Sequence, residues 1–152
     1  DLFSATYDTY RIYIAQWEPA NDGIDLLLQL KLGGTTRTAN YKYHKTRVRS
    51  NSGSYSGAYS DSGDSIRIMD TIGNATSEAG YGWFQYHKPS VDDGIWHYIS
   101  TWHSGSDNNG YSSSGMGGGT CIDSTGAISG FTLSASSGGL GNYVLYGYGL
   151  KS

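Results

Sequence analysis

The sequence predicts an all-β domain of antiparallel strands, arranged as a sandwich or a barrel. Apolar and polar residues alternate with a period of two in most segments. Clusters of Gly, Ser, Asn and Asp separate these segments, as turns do between strands. No segment combines helical spacing with helix caps over three turns. We therefore expect about nine strands in one domain that spans residues 1–152.

The composition indicates a folded chain with few charges. Of its 152 residues, 23 are Gly and 14 are Tyr, and only 15% are charged. Low charge with many aromatic side chains argues against disorder. The net charge of −3 offers no attraction to nucleic acid, and no apolar run approaches the length of a membrane span. We expect neither a nucleic-acid partner nor membrane insertion. Cys121 is the single cysteine, so an intrachain disulfide is excluded.

The predicted strands follow from the alternation, and the segment 24–32 shows it most clearly. Asp25, Gln29 and Lys31 share its polar face. The apolar face, which we expect to point inward, contains Ile24, Leu26, Leu28, Leu30 and Leu32. The same criterion predicts strands at 10–17, 41–49, 65–72, 81–88, 95–103, 119–122, 128–135 and 142–150. The last of these ends close to the end of the sequence. A terminus is usually frayed unless it is tied into a sheet, so we expect this strand to be structural and consider a central position for it.

Two segments, 50–64 and 104–118, are predicted to be long loops. Both are rich in Ser, Gly and Asn with interspersed tyrosines. This composition is similar to that of antibody paratopes, where Tyr supplies rigid contact area and the small polar residues adapt. The functional interpretation makes Tyr55, Tyr59 and Tyr111 ligand-binding residues. The alternative is a mobile surface loop with incidental tyrosines.

A basic segment is the most distinctive charge feature. Half of the ten Lys and Arg residues lie between positions 37 and 49. Lys45, Arg47 and Arg49 share one strand face with Tyr41 and Tyr43. These three basic residues are predicted to dock an acidic partner or an anionic glycan. The alternative is an edge strand that its charges protect against pairing with other chains.

No pattern in the sequence predicts catalysis, a metal site or a cofactor. His97 and His103 share a strand face, but positions six apart lie roughly 20 Å from each other and cannot ligate one metal. Glu18 and Glu78 are the only glutamates, and most aspartates stand in turn-like contexts. Asp70, within an apolar strand, is best interpreted as a hydrogen-bonded buried residue. We expect a protein that is not an enzyme and has no catalytic residue, no metal and no cofactor.

Trp96, Tyr98 and Trp102 are predicted to share one face of a strand. Such a row can form a platform on which sugars stack, or it can belong to the core or to a seam between subunits. We favour the core or seam, because an exposed row of this size promotes association.

Three segments carry a resemblance to a known family: Tyr7–Gly34, Trp83–Pro89 and Ala127–Ser152. They resemble a β-sandwich domain of tailed-bacteriophage virion proteins, found in fibre tips and head-decoration proteins. In such domains a strand with spaced tyrosines precedes an apolar strand that ends in Gly. The chain then finishes on an aliphatic-Tyr-Gly strand, here Leu145-Tyr146-Gly147. The segments cover under half of the chain, and Gly149 is an addition to the usual pattern.

The resemblance implies a jelly-roll-like antiparallel sandwich of two sheets and eight or nine strands, without catalytic residues. It also implies a homotrimer on the surface of a virion that is assembled in the host cytoplasm. The expected function is non-enzymatic, either receptor binding at a fibre tip or capsid decoration. Other virion proteins are expected partners, and a host surface glycan is a candidate ligand. The alternative is a free carbohydrate-binding module or lectin. A glycan-degrading enzyme is disfavoured by the scarcity of Glu.

Overall fold

The computed structural model describes residues 2–51, 53, 55–75, 77–89, 98–107, 109–122 and 126–151. Eleven strands are found in these ranges and no α-helix, which confirms the all-β prediction. The strands are β1 (Thr9–Glu18), β2 (Ile24–Leu32), β3 (Thr35–Thr36), β4 (Tyr41–Arg49), β5 (Tyr55–Gly63), β6 (Ile66–Ile72), β7 (Gly80–His87), β8 (Tyr98–Ser106), β9 (Ser112–Cys121), β10 (Ile128–Ala135) and β11 (Asn142–Leu150).

The strands form two antiparallel sheets that pack as an open sandwich. The large sheet has seven strands in the order β11-β1-β7-β8-β9-β4-β5. The small sheet has four, in which β2 lies between β10 on one side and β3 and β6 on the other. Nine of the eleven strands match predicted segments, and β3 and β5 are additional. In the described ranges no helix is long and apolar enough to cross a membrane.

Strand β2 supplies the centre of the core. Its five alternate apolar residues are all at least 93% buried, and Leu28 and Leu30 are completely so. The predicted inward face is therefore confirmed. The large sheet covers these residues with an inner face that includes Ile12, Ile14 and Phe84. Burying each of these side chains contributes roughly 1.5–3 kcal/mol relative to leaving it exposed, which makes this interface the main source of stability.

Aromatic rings close one end of the core. The Phe84 ring packs edge-on against Phe131 with centroids 5.0 Å apart, and Phe3 packs against Tyr86 at 4.9 Å. These four residues come from the N-terminal segment and from both sheets. Aromatic pairs in such geometries contribute about 0.5–1.5 kcal/mol beyond the area they bury. The chain before β1 is thereby held against the sandwich.

The two segments predicted as loops are largely strands. Residues 55–63 form β5, and residues 112–118 belong to β9, which pairs with β8 and β4. Strand propensity depends on context, and here neighbouring strands satisfy the backbone of a segment rich in Gly and Ser. The glycines are also required: a Cβ at Gly117 would meet the carbonyl oxygen of His44 and lie 2.9 Å from Cα of Lys45. Composition alone therefore misassigned these segments.

Strand β11 is part of the sheet, as expected, but lies at its edge rather than at its centre. It pairs along its whole length with β1, in a register that runs from Thr9 opposite Leu150 to Glu18 opposite Asn142. Its other edge has no neighbouring strand in the described part of the sheet. In the described ranges β11 is therefore joined to the sheet by one row of backbone hydrogen bonds, to β1, and by the packing of Leu145 against the core.

Candidate ligand-binding face

The outer face of the large sheet presents a continuous row of large side chains. Five adjacent strands place one residue each directly opposite the next. Residues that face each other in antiparallel strands have their side chains on the same side of the sheet. The row, called the aromatic row below, consists of Tyr146 on β11, Tyr13 on β1, Trp83 on β7, Trp102 on β8 and Met116 on β9.

The aromatic row points away from the core because the residues next to it in sequence point inward. On β1 the side chains of Ile12 and Ile14 are 4% and 2% exposed, whereas Tyr13 between them is exposed. Tyr146, Trp102 and Met116 are exposed as well. Strands are spaced about 4.8 Å apart, so the five positions span roughly 20 Å. The result is a long and shallow surface of aromatic rings.

A second row, adjacent to the first, is more polar. It contains Tyr148, Arg11, Gln85 and Ser100, again directly opposed on four neighbouring strands. The Arg11 guanidinium lies over the Trp83 ring, 4.6 Å from its centroid. The Tyr148 ring packs edge-on against Tyr13 at 5.6 Å. Side chains of the two rows thus contact each other and form one surface with both stacking and hydrogen-bonding groups.

Two of the three predicted ligand-binding tyrosines lie on the same outer face. Tyr55 is opposite Val48 and Tyr59 is opposite His44, on the edge strand β5. They are 80% and 79% exposed, the most exposed aromatic side chains in the described ranges. Tyr111 is also exposed but belongs to the turn between β8 and β9, where its N–H donates to Oδ1 of Asp107. The ligand-binding role of the three tyrosines stays a prediction.

The three predicted docking residues are turned into the sandwich. Strand β4 is an interior strand between β9 and β5, so the alternative of a charged edge is wrong. Lys45 is 5% exposed and its Nζ lies 2.9 Å from Asp70. Arg47 lies 3.0 Å from the same carboxylate, and Arg49 lies 2.9 Å from Asp107. The three share the face of Tyr41, which is completely buried, and the β9 glycines opposite Lys45 and Arg47 leave room for long side chains. We assign them to the interior rather than to partner docking.

The ion pairs of Lys45 and Arg47 with Asp70 connect the two sheets. Although burial disfavours the charged form of Asp70, the adjacent Lys45 and Arg47 lower its pKa to about 2. Burial lowers the pKa of Lys45 to about 8 against the opposing influence of Asp70. Asp70 is thus a buried carboxylate held by cations, in line with the interpretation from sequence. Arg67 joins the cluster, 3.2 Å from Asp25 and 3.4 Å from Asp70.

His103 belongs to the same interior. It is 1% exposed, and burial together with the nearby Lys45 lowers its pKa to about 4. In the described ranges no group of three or more His, Cys, Asp or Glu side chains is arranged to hold a metal ion. His97 and Trp96 lie outside the described residues, as does the side chain of Tyr98.

Trp102 is the member of the predicted Trp96–Trp102 row that the structure places. It is 38% exposed on the outer face, between Trp83 and Met116, so it does not belong to the core of this chain. The other four members of the aromatic row were not predicted as site residues. Each stands at an outward position of a strand in which inward and outward side chains alternate, and this alternation is the signal by which the sequence could have indicated them. Their alignment depends on a strand order that the sequence does not show.

The chain matches no family model, no curated protein and no solved structure. The class of protein is therefore defined by its fold and its outer face. It is an open, two-sheet antiparallel β-sandwich with an aromatic surface on its larger sheet.

Proposed function

We propose that the chain is a non-enzymatic binding module that holds a carbohydrate on the outer face of its large sheet. The observation that carries this proposal is the aromatic row. Aromatic rings offer flat apolar area that stacks on the C–H faces of sugar rings at a small cost in side-chain entropy. The adjacent polar row, with Gln85 and Ser100, supplies hydrogen-bonding groups for sugar hydroxyls. Two exposed parallel rows suit an extended glycan better than a compact ligand.

The composition of this face favours binding over cleavage. Glycoside hydrolysis needs two carboxyl groups on either side of the scissile bond. Neither the aromatic row nor the row of Tyr148, Arg11, Gln85 and Ser100 contains an aspartate or a glutamate. Asp70, the carboxylate singled out in the sequence, is turned into the sandwich and paired with Lys45 and Arg47.

The experiment compares two tyrosines on one strand. Tyr146 and Tyr143 both lie on β11 and both are 53% exposed, but they point to opposite faces of the sheet. Tyr146→Ala and Trp102→Ala are expected to weaken binding to a glycan by about tenfold or more, since a central aromatic contact contributes over 1 kcal/mol. Tyr143→Ala is the matched control and is expected to bind like the unmodified chain.

Binding is measured first on a panel of immobilised glycans and then by calorimetry on those that are retained. The proposal is wrong if no glycan of a broad panel is retained, or if Tyr143→Ala lowers affinity as much as Tyr146→Ala. Thermal unfolding of each variant shows that the fold is retained.

The second part of the proposal places this module on the surface of a bacteriophage virion, at a fibre tip. It rests on the resemblance described above, and one structural observation supports it. The three resembling segments, distant in sequence, are contiguous in space: β11, β1 and β7 are neighbours in the large sheet, and β10 and β2 in the small sheet. A fibre tip is favoured over capsid decoration, because exposed aromatic side chains suit receptor recognition whereas Arg47 and Arg49 are engaged internally.

Replacing Tyr55, Tyr59 and Tyr111 together by Ala tests the fibre-tip assignment. In a virion that carries the chain, we expect adsorption to host cells to fall while retention of the protein on the particle is unchanged. The same virion with Tyr143→Ala is the control. Loss of retention without loss of adsorption would favour decoration instead, and no change in either would remove the three tyrosines from the site.

A further inference from the structure

A groove opens where the aromatic row meets the edge of the large sheet. It has a volume of about 580 Å³ and is lined by residues of β1 and β11: Arg11, Tyr13, Ile14, Ala15, Tyr146, Tyr148 and Leu150. Arg11, Tyr13, Tyr146, Tyr148 and Leu150 present their side chains on the outer face. Six of the seven lining side chains are aromatic or aliphatic, and Arg11 is the charged one. The groove therefore combines apolar walls with a single positive charge.

The Arg11 side chain is held in place by three contacts. Its Nε donates to Oε1 of Gln85 at 2.8 Å, and its Nη1 donates to the Tyr13 hydroxyl at 3.3 Å. The guanidinium also lies over the Trp83 ring, 4.6 Å from the centroid. These two hydrogen bonds use two of the five N–H donors of a guanidinium. Because the side chain is already ordered, a ligand that binds to it has little rotamer entropy to overcome.

The partners of Arg11 are neutral. Gln85, Tyr13 and Trp83 carry no charge, and among the described residues no carboxylate lies within ion-pair distance of Arg11. The other arginines of β4 and β6 contrast with it, since Arg47, Arg49 and Arg67 each pair with an aspartate. On a chain with a net charge of −3, Arg11 is thus a local cation without a counterion in an aromatic setting.

We propose that this groove binds a sugar that carries a carboxylate, with the acid group on the guanidinium of Arg11 and the sugar ring against Tyr146 and Tyr148. The planar fork of arginine matches a carboxylate in a bidentate arrangement, and such charge-assisted bonds are about twice as strong as neutral ones. The ligand of the outer face is then an acidic glycan rather than a neutral one. The inference rests on the proposed carbohydrate-binding function and specifies its ligand class.

The test uses acidic polysaccharides together with their methyl esters. Esterification removes the charge and leaves the sugar backbone unchanged. Polygalacturonate, alginate and polysialic acid are the carboxylate probes, and a sulfated dextran is a second anionic probe. We expect at least one carboxylate polymer to bind about tenfold or more tightly than its methyl ester. We also expect it to bind more tightly than the sulfated dextran.

Arg11→Gln is expected to remove the preference for the acid, so that the acid and its ester bind alike. Arg11→Lys retains the charge without the planar fork and is expected to restore only part of the preference. Lys42→Gln is the matched control. It removes one positive charge from the outward side of β4, away from the groove, and is expected to leave the preference unchanged. Tyr146→Ala is expected to weaken the binding of acid and ester alike.

Each outcome is decisive. Neutral glycans that bind as well as acidic ones, or equal effects of Arg11→Gln and Lys42→Gln, would overturn the inference while the proposed function stands. Equal binding of sulfated dextran and of the carboxylate polymers would overturn the carboxylate assignment. If no polysaccharide binds at all, the proposed function fails and the inference fails with it.

Discussion

At the scale of single residues, the interior of this sandwich holds charge as well as apolar surface. Lys45 and Arg47 extend from the large sheet to Asp70 on the small one. His103 lies beside them, 1% exposed and neutral near pH 7 because burial lowers its pKa to about 4. Buried ionisable groups of this kind link the stability of the fold to pH, since their protonation differs between the folded and the unfolded chain.

We expect His103 to make the protein less stable in mild acid. Between about pH 6.5 and pH 4 the unfolded chain binds a proton at this residue and the folded chain does not, so stability falls as the pH falls through this window. At about 1.4 kcal/mol per pKa unit, the loss reaches about 3 kcal/mol and levels off below pH 4. Denaturant unfolding at a series of pH values in this range measures the loss of stability.

The variant His103→Gln is expected to show a flatter dependence on pH in this window. His44→Gln is the control, because His44 is exposed on the outer side of β4. Parallel pH profiles for the unmodified chain and His103→Gln would refute the assignment.

Asp70 is expected to be the most sensitive member of the interior ion pairs. Asp70→Asn leaves Lys45 and Arg47 buried without their shared counterion, and breaking a buried pair from one side costs about 3–5 kcal/mol. Lys45→Met removes one cation and leaves Asp70 paired with Arg47, so we expect a smaller loss. The denaturant midpoints of the two variants measure these losses of stability. A larger loss of stability for Lys45→Met than for Asp70→Asn would contradict this account.

At the scale of elements, the glycines of β9 decide how closely the strands of the large sheet approach each other. A Cβ at Gly117 would collide with the backbone of β4 at His44 and Lys45. Gly57 on β5 is also a strand glycine, but a Cβ there would lie 3.7 Å from the nearest atom, the carbonyl oxygen of Lys45, at an ordinary contact distance. A side chain would therefore collide with the neighbouring strand at position 117 but would fit at position 57.

Gly117→Ala is therefore expected to destabilise the fold by about 1–3 kcal/mol, because the backbone of β4 has to move away from β9. Gly57→Ala is the matched control and is expected to be neutral or slightly stabilising, since Ala loses less backbone freedom on folding. Thermal and denaturant unfolding of both variants provide the measurement. Equal losses in the two variants would show that strand propensity, and not close approach, determines the need for glycine.

At the scale of the whole molecule, the large sheet has two long edges that no strand in the described part of the chain covers. Strands β11 and β5 form these edges, and each has nine residues. Val144, Tyr146, Tyr148 and Leu150 are exposed along β11. Long edges with exposed apolar side chains promote pairing with another chain unless charge, proline or bulges prevent it. These features favour self-association.

We expect the protein to be a homotrimer in which part of the exposed aromatic surface lies at the seam between subunits. Light scattering at micromolar concentration measures the mass, and a monomer would contradict the expectation. Val144→Lys places a charge on the edge strand and is expected to shift the equilibrium toward the monomer. Met116→Lys, on the interior strand β9 of the same sheet, is the control and is expected to leave the mass unchanged if the edge is the seam.

The sequence by itself determined most of the strands and much of the core, but not β3, β5 or the first half of β9. A period of two is a local property, so it reveals which residues share a strand face, as in β2, where the apolar set is buried as predicted. The bounds of β2, β4, β10 and β11 agree with their predicted segments for the same reason. Alternation was informative wherever one face was purely apolar.

Where both faces of a strand carry polar and apolar residues, the tertiary structure alone decided which face is turned inward. It also decided which strands, distant in the sequence, become neighbours. Lys45 and Arg47 share a face with Tyr41 whichever way β4 is turned. Asp70 on the opposite sheet and the glycines of β9 make that face the inner one. The aromatic row likewise exists only once β11, β1, β7, β8 and β9 are aligned in register. Turn geometry sets the register of strands joined by a short hairpin, whereas strands that lie far apart in the chain find their partners and their register through the packing of whole sheets.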